Sequence, residues 1–228
     1  MTENAGTTTH GRLIRIEAEA VELYGILNIP DNAHGLVILI QGLDNISGNL
    51  RQSFIAISQL FNQNALATLL VDLFTTNERK LDEESGFFRA NTDIMQQRLI
   101  GMADWLLQNE ETQNLSIGYF GTGASGAAAL VAAAERPDNV RAVVVAGGSI
   151  DMVQQYLSGI MAPTRLIAAE KDEAGVKMNQ AGFDSLTMKE KSFEQVKDTS
   201  SLFENNDTLQ EVARLAQGWF THWLVRII

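Results

Sequence analysis

The 228-residue chain has no cysteine, only three prolines and three histidines, and 17 Lys+Arg against 28 Asp+Glu, a net charge of −11. Each scarcity excludes something. Without thiols there is no disulfide framework, no cysteine nucleophile and no Cys-ligated zinc or iron–sulfur site. A chain this acidic lacks the cationic footprint that phosphate backbones require, so nucleic acid is not an expected partner. An anionic membrane surface is disfavoured for the same reason. No apolar run approaches the roughly 20 residues that cross a bilayer. The opening MTENAGTTTHGR offers neither a basic segment nor an apolar one, so no signal peptide is expected and a cytoplasmic location is. With so few prolines and no low-complexity linker, residues 1–11 read as a disordered lead and 12–228 as a single domain.

What is present is a regular alternation of apolar runs and helical patterns. Leu13–Ala18 and Val21–Ile29 read as an antiparallel pair. Leu36–Ile40 is a continuous apolar run, as in a strand buried on both faces. Further strands are expected at Ala67–Leu73, Leu115–Phe120, Val140–Ala146, Arg165–Ala169 and Lys191–Val196. Helices are expected at Leu50–Asn62, Ile94–Leu107, from the glycine-rich turn to Glu135, and at Thr208–Val225. The pattern predicts an α/β fold, a three-layer sandwich with a mostly parallel sheet of about eight strands. Little or no lid is expected, any cover coming from the stretch Phe74–Asn91. Ligands in such folds bind outside the carboxyl ends of the strands.

The densest local signal is Gly118-Tyr-Phe-Gly-Thr-Gly-Ala-Ser-Gly126, where a strand runs into a tight turn and then a helix of small residues. Two readings stay open at this point. Gly121–Gly126 matches G-x-G-x-x-G, with Asp151 as a candidate ribose acid, which would be a dinucleotide site. The alternative is a nucleophile elbow, in which a sharp strand-to-helix turn presents a reactive side chain.

The second reading gains from the rest of the chain. Gly25-Ile-Leu-Asn-Ile-Pro30, Ala67-Thr-Leu-Leu-Val-Asp-Leu73, Gly118-Tyr-Phe-Gly121, Ala162-Pro-Thr164 and Glu211-Val-Ala-Arg-Leu-Ala216 together make the chain resemble the dienelactone-hydrolase-like branch of the α/β-hydrolase superfamily, from about Arg12 to Leu224. The resemblance implies an α/β-hydrolase fold and a Ser-His-Asp triad. Two of its positions are substituted. Where the family carries its serine the chain has Gly123, and where the family carries its histidine, just before Leu202-Phe203, it has Ser201. The acid position is retained as Asp172, and the family's His-Gly after the first parallel strand reads Gln41-Gly42.

A triad mechanism needs a nucleophile, a base and a group that orients the base. Gly123 carries no oxygen, and none of His10, His34 and His222 falls in the loop that delivers the base. The chain is therefore expected to bind without ordinary hydrolysis. Ser125 is the alternative nucleophile, set against its simpler role of hydrogen bonding in the first turn of a helix. Backbone N–H groups of Leu43 and Ala124, bordered by Gln41, Asp44 and Thr122, are expected to leave an anion-friendly pocket for a small molecule. Glu78–Glu84 reads as a solvated face. No metal and no cofactor are expected. The apolar Val225, Ile227 and Ile228 suggest a homodimer contact.

Overall fold

The strands form because their residues are either apolar throughout or apolar at every second position. β3 (Gly35–Gln41, GLVILIQ) is buried at all seven positions. β1 (Arg12–Ala18) and β2 (Val21–Asn28) instead alternate exposed and buried residues. The computed structural model describes residues 11–18, 21–42 and 48–224.

The remaining elements in chain order are α1 (Gly48–Gln63), β4 (Leu66–Asp72), α2 (Thr76–Ser85), α3 (Thr92–Gln108), β5 (Ser116–Thr122), α4 (Gly123–Glu135), β6 (Val140–Gly148), β7 (Thr164–Ala169), α5 (Glu173–Ser185), β8 (Lys191–Val196) and α6 (Asn206–Trp223). A 3-10 segment, Ile150–Gly159, links β6 to β7. One sheet of eight strands results, in the order β1-β2-β4-β3-β5-β6-β7-β8. β1, β2 and β4 pair antiparallel, and every later pairing is parallel.

Two apolar layers sandwich the sheet. Leu99, Met102 and Leu106 of α3 pack with the alanines of α4 on one face. Phe54, Ile57 and Phe61 of α1 pack with Val212, Ala216 and Phe220 of α6 on the other. Parallel strands place all their carboxyl ends along one edge, and every loop expected to carry chemistry opens there. The helix α5 and the helix α2 were not expected from the sequence. Val225, Ile227 and Ile228 lie outside the described residues.

Candidate functional site

The site is built around the junction of β5 and α4, which follow each other with no intervening residue. Such a reversal needs a left-handed backbone, and Gly123 supplies it with φ +50°. It also needs the helix to sit hard against the strand. A Cβ on Gly121 would lie 2.8 Å from the Gly126 Cα, and one on Gly126 would lie 2.6 Å from the Val145 Cγ1. Ala127, Ala128, Ala129, Ala132 and Ala133 then bury the helix completely along the sheet. The Gly123 carbonyl accepts a 3.1 Å hydrogen bond from the Ser149 N–H, and Gly123 bridges to Gly148, which ties the turn to the end of β6. The strand, sharp turn and helix have the geometry of a nucleophile elbow, with Gly123 at the tip.

Ser125 lies inside the turn. It is fully buried, its Oγ donates to the Thr122 carbonyl at 2.7 Å and accepts from the Thr122 N–H at 3.4 Å. Gly42 covers it, since a Cβ there would meet the Ser125 Cβ at 3.2 Å. Thr122 and Ala124 are themselves buried, and Gln41 ends the neighbouring strand β3, also buried. Leu43 and Asp44 lie outside the described residues.

Asp172 follows β7 and caps α5, its Oδ1 accepting from the Gly175 N–H at 3.0 Å while the residue stays exposed. Beside it the Lys171 N–H donates to the Thr199 carbonyl at 2.9 Å, and Lys171 Nζ donates to the Asp198 carbonyl at 3.0 Å. These contacts hold the loop after β8 against the loop after β7. Ser201 is exposed in that loop; its N–H donates to Thr199 Oγ1 at 3.1 Å, and its carbonyl accepts from the same hydroxyl at 2.7 Å. Leu202 is buried against Gly147, at the end of β6. Gly123, Asp172 and Ser201 thus occupy loops along the same carboxyl edge of the sheet.

A crystal structure of dienelactone hydrolase from Anabaena variabilis is 36% identical to the chain, covers 94% of it and 98% of its own length, and superposes with a TM-score of 0.88. The chain belongs to the dienelactone hydrolase family. No family model matches it. More distant structures share the α/β-hydrolase fold, among them the esterase domain of a Rhodothermus marinus protein, 17% identical with a TM-score of 0.73 over 93% of this chain and 98% of that one. Est1E from Butyrivibrio proteoclasticus is 13% identical with a TM-score of 0.74 over the same shares. Two Mycobacterium tuberculosis proteins, provisionally named phosphoribosyl transferases, are 33% identical over 216 residues, 91% of this chain. The chain spans about half the length of those relatives, 45%.

Within this dienelactone hydrolase fold the two described histidines lie at the amino edge of the sheet, away from Gly123. His34 precedes β3, level with the start of β5, so its distance from Gly123 is roughly 20 Å of strand. Burial lowers the His34 pKa below the ordinary imidazole value. His222 ends α6, with its ring 4.6 Å from that of Trp223. The adjoining Phe220 and Leu224 crowd Gly118 and Gly35, which places that helix end at the amino edge of the sheet. Asp151, the acid of the dinucleotide reading, is exposed at the start of the 3-10 segment.

One expectation is corrected. The acidic stretch Glu78–Glu84 is not simply a solvated face. Asp82 is 1% exposed, and its carboxylate accepts from the N–H groups of Phe88 at 2.7 Å and Arg89 at 2.9 Å and from Arg89 Nε at 2.6 Å. Glu78 accepts from the Thr75 N–H at 2.8 Å and from the Arg98 guanidinium at 3.0 Å. Arg98 also donates to the Leu73 carbonyl at 2.6 Å and lies 5.3 Å over the Phe74 ring. Burial opposes charge at both carboxylates, but the arginine and backbone hydrogen bonds outweigh it and hold both below the ordinary range. The stretch expected to provide any cover is therefore a helix clamped by paired charges. Thr75-x-x-Glu78 is a capping box, a signal in the sequence that marks the start of α2. The arginine partners carried no such local signal.

Proposed function

We propose that this dienelactone hydrolase family member binds a small molecule at its elbow without hydrolysing it. One observation carries the reading: the elbow keeps its left-handed turn and its tight packing while the residue at its tip is Gly123. Acyl transfer needs an oxygen or sulfur at that tip and a base within hydrogen-bond reach. Ser201 stands in the loop where the resemblance implies histidine. Ser125 has its hydroxyl turned back onto Thr122, in the role of a turn-stabilising group rather than an exposed nucleophile. Asp172, with no imidazole to orient, serves as a helix cap. What stays available is backbone: the N–H groups of the first turn of α4 suit a carboxylate or other small polar group.

The test is turnover of short p-nitrophenyl esters, paired with intact-mass analysis after a fluorophosphonate probe. The expected result is no turnover above buffer and no adduct. An adduct that disappears in Ser125→Ala would overturn the reading. The double variant Gly123→Ser with Ser201→His is expected to acquire the adduct, because the turn that receives the serine is already formed.

A further inference from the structure

The strand pairings place two rows of side chains across one face of the sheet. Leu13 pairs with Ile26 and Ile26 with Leu70, which makes an apolar row across β1, β2 and β4. One step along, Arg15 pairs with Tyr24, and Asp72 pairs with Gln41, continuing a polar row on the same face. Over β3 and β4 this face is covered by α1, but at the β1–β2 corner Leu13 remains 71% exposed and Tyr24 53% exposed. A cavity of about 460 Å³ lies there, with Leu13, Tyr24, Ile26 and Leu70 on its floor and Gln41, Asp72 and Arg51 at its inner end. That volume is within the range of small-molecule sites, ~300–1,000 Å³.

The charges of the corner balance in number, since Arg15 serves Glu17 at 3.5 Å as well as Glu22, but they are not evenly paired. Glu22 is paired with Arg15 at 3.0 Å and accepts from the Tyr24 hydroxyl. Asp72 is paired with Arg79, whose Nε donates at 2.7 Å, and accepts from the Phe74 N–H at 3.0 Å. Both acids therefore already have a guanidinium. Arg51, exposed at the rim, has no ion pair of its own among the described residues and feels Asp72 only as a neighbouring charge. Among the described residues this leaves one guanidinium of the cavity lining without an ion pair, beside an apolar floor.

We propose that this corner binds an amphipathic monoanion, an alkyl or aryl carboxylate whose head meets Arg51 and whose body crosses Ile26 and Leu13 beside Tyr24. The apolar row spans two strand spacings, about 10 Å, which suits a medium-length chain rather than acetate. A guanidinium–carboxylate contact supplies the head-group selectivity. The site meets the elbow only at Gln41 and does not depend on whether the elbow is catalytic.

Calorimetry on the full chain with decanoate, decyltrimethylammonium and acetate separates the contributions. Decanoate is expected to bind saturably, the cation with the same tail and the bare acetate not to. Arg51→Gln is expected to weaken decanoate at least about tenfold, the scale of one charged hydrogen bond. Leu13→Ser should weaken it as well, and both side chains are exposed, so both variants are expected to fold. No binding of decanoate, equal binding of the cation, or unchanged affinity in Arg51→Gln would overturn the proposal. So would a concentration-dependent dimer lost in Leu13→Ser, which would assign the corner to a second copy. Ester turnover in the same samples reports on the elbow alone, so the two readings fail separately.

Discussion

Two regions at the carboxyl edge of the sheet are built on opposite principles. The elbow is held by the near absence of large side chains: Gly121, Gly123 and Gly126 let backbone meet backbone, and the buried Ser125 bonds to the backbone of Thr122, three residues back. The α2 clamp is held by large charged side chains, Glu78, Asp82, Arg89 and Arg98, that reach across 7 to 20 residues, with Asp82 and Arg98 buried and their partners part-buried. The shape of the elbow depends on backbone and needs no side chain at its tip. The clamp does not tolerate loss of a partner, because each remaining charge would be stranded.

That contrast ranks the perturbations. The largest effect is expected from Arg98→Met, which removes the buried member of the pair and leaves the part-buried Glu78 beside Thr75 without its cation. Breaking one partner of a buried pair costs about 3–5 kcal/mol, and denaturant unfolding measures it. Acid should act on the same region. Glu78 and Asp82 titrate below their ordinary range in the folded chain, so their contribution is present above the unfolded pKa and is lost as pH falls through the folded one. His34 adds a loss of the same sign that begins higher, as pH falls below the ordinary imidazole value of about 6.5. Asp72, raised mainly by burial, has the opposite sign and partly offsets them. Arg98→Met should flatten the acid limb of the stability profile, and an unchanged limb would remove the clamp from the explanation.

An intermediate effect is expected at the elbow. Gly121→Ala puts a methyl 2.8 Å from the Gly126 Cα, a backbone atom with no rotamer to yield. Overpacking of this kind costs about 1–3 kcal/mol. Gly86→Ala provides the comparison, for its Cβ would meet nothing within 4 Å although its φ is +64°. A larger loss at Gly86 than at Gly121 would mean that backbone conformation, not helix-to-strand contact, controls these glycines.

The difference between the two regions also explains what the amino-acid order revealed. β3 was readable because all seven of its positions are buried, so its pattern is continuous and local. The position of β4 between β2 and β3 was not, because register across a sheet is set by residues far apart in the chain. α5 was missed because Asn179 and Gly182 are its buried residues, which gives no apolar stripe to detect. At the site, Gly123 and Ser201 could be located because a glycine-rich turn and a Leu-Phe pair are contiguous motifs. The clamp could not, since nothing near Glu78 or Asp82 states whether an arginine 20 or 7 residues away folds onto it.

The smallest expected effect decides the most about the elbow. A nucleophile must turn its oxygen toward substrate, whereas a turn-stabilising hydroxyl must turn inward. Ser125 donates inward, to the Thr122 carbonyl at 2.7 Å, with none of its surface exposed. Ser125→Ala removes that hydrogen bond and leaves the buried Thr122 carbonyl short of one donor. The cost for one such neutral bond is about 1 kcal/mol, or roughly 2–4 °C in Tm for a domain of this size. A role in the turn therefore predicts a small fall in Tm with no change in reactivity toward fluorophosphonate. A catalytic role predicts the reverse, an unchanged Tm and the loss of an adduct. The two outcomes differ in which observable moves, so a single pair of measurements on one variant distinguishes a hydroxyl that holds the elbow from one that acts through it.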